Sequence, residues 1–342
     1  MCRNYPRLLL SIAVITLIFT GCGNDPDSVV LYCALDREFS ESIIDDFHKK
    51  AGLTISPRFD TEANKSVGLY EELVREKKQP RCDVHWNNEI IATIRLQKQG
   101  LLEPYESPNG KPFPAQYKAK DHTWHAFAAR ARILLVNTDL VADDEMPKSI
   151  VDLADPKWKG KVAMAKPEFG TTATQAACLF ALWGKEKATQ YYRDLAKNNI
   201  QLVPGNKQVA VGVGKGNFAF GITDTDDAMW EVRAKKPVAI IFPDQGKDGL
   251  GTLFIPNAVA LIKGSPNPEG GKKLIDYLLS PETEAKLAKA EGCQIPLNPN
   301  VEVTLAKEVQ AGRNARKTAV DFGAATDCWD ETQTVLRDIF AR

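Results

Sequence analysis

The chain has 342 residues, 44% of them apolar and 26% charged, with lysine plus arginine equal to aspartate plus glutamate at 44 each. That length predicts two domains or two lobes rather than one small core. The composition is that of a globular chain, and the lack of a basic excess or an aromatic–arginine stripe argues against a nucleic-acid partner.

The first residues differ from the rest. Arg3 and Arg7 precede an uncharged apolar stretch, Leu8 to Phe19, and then TGCGND. A basic start, a short apolar core and small residues at the cut form a secretory signal, with a core too short for a membrane-spanning helix. Residues 1–21 are therefore expected to be a signal peptide of the lipoprotein type, with Cys22 as lipid acceptor in a lipobox-like Thr20-Gly21-Cys22. Cleavage would remove two of the 44 basic residues and none of the 44 acidic ones, leaving a net charge of about −2. Cys33, Cys82, Cys178, Cys293 and Cys328 then remain, without zinc spacing. A Cys293–Cys328 disulfide and buried free thiols are both open readings.

After a polar spacer, VVLYCAL reads as a buried strand. SESIIDDFHKKAGL reads as a helix with Ile43, Ile44 and Phe47 on one face and Gly52 at its C-cap. LTISPRFD is a strand, SVGLYEELVREKKQP a helix ended by Pro80, CDVHWNN a strand and IIATIRLQKQG a helix. This alternation predicts β-α-β units and a parallel sheet, with ligand outside the carboxyl ends of the strands, near residues 32–38 and 86–89. Residues 122–137 read as paired extended segments, with His122 and His125 in a surface turn. A strand follows DLADPKWKGK, then helices at TTATQAACLFALWG and KATQYYRDLAKN. GVGKG (212–216) reads as a turn, since it precedes a strand and lacks the phosphate-loop spacing. FAFGIT is a strand, DTDDAMWEVRAKK a helix, and 258–292 a strand, a loop and two helices.

Several features exceed structural need. In TDTDD, Thr223 or Asp224 suits an N-cap, and acidic residues suit a first helical turn. Three carboxylates at Asp224, Asp226 and Asp227 are more than a cap requires, and like charges so close are costly unless a cation or donors offset them. Arg130 and Arg132 project from one strand face, which an anion or carboxylate partners would explain. Gly170, Thr171 and Thr172 open a helix, where backbone N–H groups and hydroxyls suit an oxyanion or ordinary capping. No catalytic motif stands out, so an enzyme is not expected.

Together these stretches resemble the periplasmic ferric-ion-binding proteins of bacterial ABC transporters, within the type II solute-binding fold. The resemblance spans about residues 29 to 300. It rests on DLADPKWKGKVAMA (152–165), AARARILLVN (128–137), CDVHWNNE (82–89), GLLEPYES (100–107) and SPNPEGGKKLIDYLLSPETEAKLA (265–288). It implies an α/β, two-lobe type II periplasmic-binding-protein fold with crossing strands forming the hinge. Lobe one would be 28–130 plus 256–300, and lobe two 131–255 plus 301–342, with ligand in the cleft between them. Arg130 to Asn137 would cross from lobe one to lobe two, and residues near Leu253 to Pro256 would cross back. It also implies a monomeric carrier outside the cytoplasm, probed by a permease and its ATPase subunit and tied to the membrane by the lipid anchor. Its transported ligand would be ferric ion with a small anion; no cofactor is expected.

By the same resemblance the ligand-binding residues are Asp36, Glu89, Arg130, Arg132, Gly170, Thr171, Thr172, Asn206, Asp226 and Asp227. Of these, Asp36, Glu89, Asp226 and Asp227 would hold the metal. The family's adjacent tyrosines are absent, and Asp226-Asp227 stands in their place. That departure keeps a second cargo open: an organic phosphate, an aminophosphonate or another small zwitterion.

Overall fold

The computed structural model describes residues 28–60 and 67–340. The expected signal segment and Cys22 lie outside the described residues. The chain runs β1 (Ser28–Cys33), α1 (Arg37–Ala51), β2 (Thr54–Phe59), α2 (Gly68–Arg75), β3 (Val84–Asn87), α3 (Ile90–Lys98), β4 (Leu102–Glu103), β5 (His125–Asn137), β6 (Val162–Ala165), α4 (Gly170–Trp183) and α5 (Lys185–Lys197). It continues through β7 (Gln201–Val203), α6 (Asn206–Gly214), β8 (Phe220–Asp224), α7 (Thr225–Arg233), β9 (Val238–Ile241), β10 (Phe254–Ile262), α8 (Pro268–Leu278), α9 (Pro281–Lys289), α10 (Lys307–Asn314), α11 (Phe322–Asp327) and α12 (Trp329–Phe340).

Two parallel units share a crossing pair. The strand order is β2-β1-β3-β10-β5-β8-β6-β7, with β1, β2 and β3 mutually parallel and β6, β7 and β8 likewise. Strand β5 pairs with β10 through its first half and with β8 and β9 through its second. All of its residues are buried, the polar His125, Arg130, Arg132 and Asn137 included, and the expected pair of segments is one continuous strand. His125 opens that strand, is 4% exposed, and lies 2.8 Å from the Tyr105 carbonyl through Nε2. It is therefore a core residue and not the surface residue the sequence predicts.

The crossing is pinned by polar groups. Ala128 has φ 39°, and the β5–β10 register breaks between Pro256 and Asn257. Glu284, fully buried on α9, accepts from the Ala128, Leu297 and Asn298 amides at 2.6, 3.0 and 2.7 Å. Asn257 donates to the Ala128 carbonyl and to Gln294 Oε1. The bonds to the Ala128 amide and carbonyl satisfy backbone groups that the bulge leaves out of the ladder.

Elsewhere local chemistry and outcome agree. Gly52 caps α1 at φ 66°, a conformation that favours glycine. The GVGKG stretch departs from its expected turn: Gly212 and Gly214 lie inside α6, and only Lys215-Gly216 turns. A Cβ at Gly212 would meet the Phe218 ring at 2.3 Å, and one at Gly214 would meet Glu231 at 2.2 Å. Close packing explains these glycines. The five described cysteines are free thiols, so Cys293 and Cys328 are not bonded.

Candidate functional site

Helix α7 answers the question raised by TDTDD. Asp224 holds its N-cap position, but its side chain makes no cap bond. It accepts instead from Arg132 Nη1 at 2.8 Å and Asn206 Nδ2 at 3.0 Å, and from the Thr171 hydroxyl. Asp226 pairs with Arg130 Nε at 2.9 Å. Strand alternation does place both arginines on one face, and the groups they meet are carboxylates.

Arg132 is 0% exposed. Its guanidinium also reaches Gln175 Oε1 and Asn206 Oδ1 at 2.9 Å, and Thr171 and Thr172 Oγ1 at 3.3 Å. Arg130 donates further to the Asn88 carbonyl and, at 3.4 Å, to Asn257 Oδ1. Burial opposes the Arg130 charge, but Asp226, Asp224, Asp36 and Asp227 outweigh it and raise the pKa. Burial raises the Asp226 carboxyl above its ordinary value, against the pull of Arg130 and with the push of Asp224 and Asp36.

A cavity of about 50 Å³ opens beside this network. The starts of α1, α4, α6 and α7 surround it, through Asp36, Gly170, Asn206 and Asp226 among others. At α1, α4 and α6 the N-caps are Asp36, Phe169 and Gly205, and none makes a side-chain cap bond. The first two amides of each of these helices have no intrahelical acceptor, and the helix dipoles add positive potential. Gly170, at φ 62°, turns the chain into α4. Facing these positive ends, Asp224, Asp226 and Asp227 each offer an oxygen, all within 4.8 Å of one another. The cavity thus has an acidic side suited to a hard cation and an amide-and-hydroxyl side suited to an oxyanion.

Of the residues expected at the site, Asp36, Arg130, Gly170, Thr171, Thr172, Asn206, Asp226 and Asp227 line the cavity. Arg132 lies behind it and holds Asp224 in place. Glu89 is not part of the lining. It is 2% exposed and caps α3, accepting from Ile91 N at 2.7 Å, Ala92 N at 2.9 Å, Asn87 Nδ2 at 3.1 Å and Thr174 Oγ1 at 2.8 Å. The expected metal ligand is a helix cap, because both oxygens already serve donors of the protein. Sequence reasoning left Asp224, Lys207 and Asn88 out of the site. Lys207 carries a signal, being a cation in the first turn of a helix, where the dipole disfavours it. It lies 5.6 Å from the Trp230 ring centroid and 3.1 Å from Glu38.

A family model described as bacterial extracellular solute-binding protein matches residues 92–316. The major ferric iron-binding protein of Neisseria meningitidis is 25% identical over 80% of this chain and 82% of its own. A ferric binding protein from Campylobacter jejuni superposes with a TM-score of 0.82 at 23% identity, over 91% of this chain and 99% of that one. The periplasmic binding protein AfuA from Actinobacillus pleuropneumoniae, with exogenous fructose-6-phosphate bound, gives 0.78 at 24% identity over 92% and 98%.

Proposed function

This chain belongs to the bacterial extracellular solute-binding proteins, and from that premise we propose that it captures ferric ion with a small anion in the cavity ringed by α1, α4, α6 and α7. The observation that carries this reading is the convergence of Asp224, Asp226 and Asp227 within 4.8 Å. A trivalent cation offsets their mutual repulsion, and hard oxygen donors suit it. Asp36 adds a carboxylate from α1. The first turns of α4 and α6, with Thr171, Thr172 and Asn206, hold the anion. The relatives named for ferric iron support this cargo.

The organic-phosphate or aminophosphonate reading has its own support. Arg130 and Arg132 already neutralise two of the carboxylates, and AfuA is named with a sugar phosphate. Size favours the smaller cargo. Sites for drug-sized molecules span roughly 300–1,000 Å³, and this cavity is about 50 Å³.

In this reading the crossing strands β5 and β10 are the hinge between lobes at 28–130 plus 256–300 and 131–255 plus 301–342. The lobes close on the cargo and present it to a permease worked by an ATPase subunit. The protein acts outside the cytoplasm as a monomer, held to the membrane by lipid at Cys22.

A thermal-shift series on the chain starting after Cys22 tests the cargo. Ferric ion with phosphate or carbonate is expected to raise the midpoint, and neither component alone should match it. Ligand at about 100 times its dissociation constant adds roughly 2.7 kcal/mol of stability. A shift only with 2-aminoethylphosphonate or fructose-6-phosphate would replace iron by the organic cargo. Asp227→Asn should weaken ferric binding by roughly 1.5–3 kcal/mol, the range for a charge-assisted contact. Unchanged affinity in titration calorimetry would remove Asp227 from the site.

A further inference from the structure

Helix α3 packs against β3 and β10, whereas α4 packs against α5 and α12. They are joined at both ends. At the cavity end, Thr174 Oγ1 on α4 donates to Glu89 Oε2 at the cap of α3, 2.8 Å away, with the two residues 0% and 2% exposed. At the far end α11 rests on both helices. Lys98 of α3 pairs with Asp327, and the Arg95 guanidinium lies 5.2 Å from the Trp329 ring centroid. Phe322 and Ala325 are buried in this junction. The chain reaches α11 beside the crossing strands, where Lys317 bridges Thr252, and leaves it through α12, where Glu331 meets Lys185 at 2.6 Å.

Glu89, Thr174 and Phe322 do not line the cavity. We infer that the α3–α4 seam, bolted by Glu89–Thr174 at the cavity end and by α11 at the back, is a lock that sets what fraction of the unliganded protein is closed. Contacts made in one conformation and lost in the other bias the equilibrium toward the first. Apparent affinity then scales with the fraction already competent to bind. A buried hydroxyl donating to a buried carboxylate suits this task, because hinge opening hands both groups back to water with little penalty. The inference rests on the two-lobe binding reading and is independent of which cargo the cavity takes.

Thr174→Val removes the hydroxyl and keeps the shape. Small-angle scattering of the unliganded protein should give a larger radius of gyration for this variant than for wild type, with equal radii at saturating ferric ion and phosphate. Apparent affinity should fall 3- to 10-fold, and Thr174→Ser should restore both readings. Phe322→Ala should act in the same direction from the far end of the seam. Equal unliganded radii for wild type and Thr174→Val, or an affinity unmoved by that substitution, overturn the lock. Absence of ferric binding by wild type would overturn the cargo reading alone, since unliganded scattering still reads the seam.

Discussion

Replacing Arg132 with methionine is expected to destabilise the protein by about 3–5 kcal/mol, the range for breaking a buried ion pair by removing one partner. Arg132 is wholly enclosed, and its guanidinium organises Asp224, Gln175, Asn206, Thr171 and Thr172. Without it, Asp224 stays 3% exposed and loses its direct ion-pair partner. The Thr171 and Asn206 donors that remain on Asp224 lessen the loss without neutralising the carboxylate. Urea unfolding of the variant should show a lower midpoint at unchanged slope. Adding Asp224→Leu to Arg132→Met should recover a large part of the loss, because most of the cost lies in the orphaned charge. A single variant within 1 kcal/mol of wild type would mean that the pair contributes little to the fold.

The second large effect is expected from acid. His85 lies in the middle of β3, between β1 and β10, and is 1% exposed, with no hydrogen-bond partner for Nδ1. Burial lowers its pKa from 6.5 to about 4. Between those values the unfolded chain takes up a proton that the folded chain refuses, so stability rises with pH across this window. The stability is fully present above pH 6.5 and is lost as pH falls toward 4, by about 3 kcal/mol from this residue, at about 1.4 kcal/mol per unit. His85→Gln should flatten the dependence of unfolding free energy on pH between 6.5 and 4 by that amount. An unchanged slope would place the titration elsewhere. Glu89, Glu284 and Asp226, raised by burial, contribute with the opposite sign as pH rises.

Much of the fold was legible because it is written locally. The 3.6-residue periodicity of Ile43, Ile44 and Phe47 and the Gly52 cap need only near neighbours to act, whereas α2 ends at Arg75, ahead of the stop expected at Pro80. The site was legible where position in an element implies direction: alternation put Arg130 and Arg132 on one face, and TDTDD carried more charge than a cap uses. Glu89 misled for the same reason. An acidic residue after a strand is equally suited to a ligand and to an N-cap; here the Ile91 and Ala92 amides take both oxygens, and Thr174, 85 residues away, adds a donor no local pattern shows. The glycines of α6 misled because their reason is a ring and a carboxylate from other segments.

Composition and short spacings already carry the alternating strand–helix order, the surplus carboxylates at 224–227 and the likeness to a binding-protein family. That Asp224 and Asp226 hold Arg132 and Arg130, that four helix starts face one cavity of about 50 Å³, and that Glu89 joins two helices emerges only once the chain is folded. The physical reason is range. Propensity and periodicity act over a few residues, whereas a buried charge finds its partner wherever the crossing strands bring one within hydrogen-bond reach.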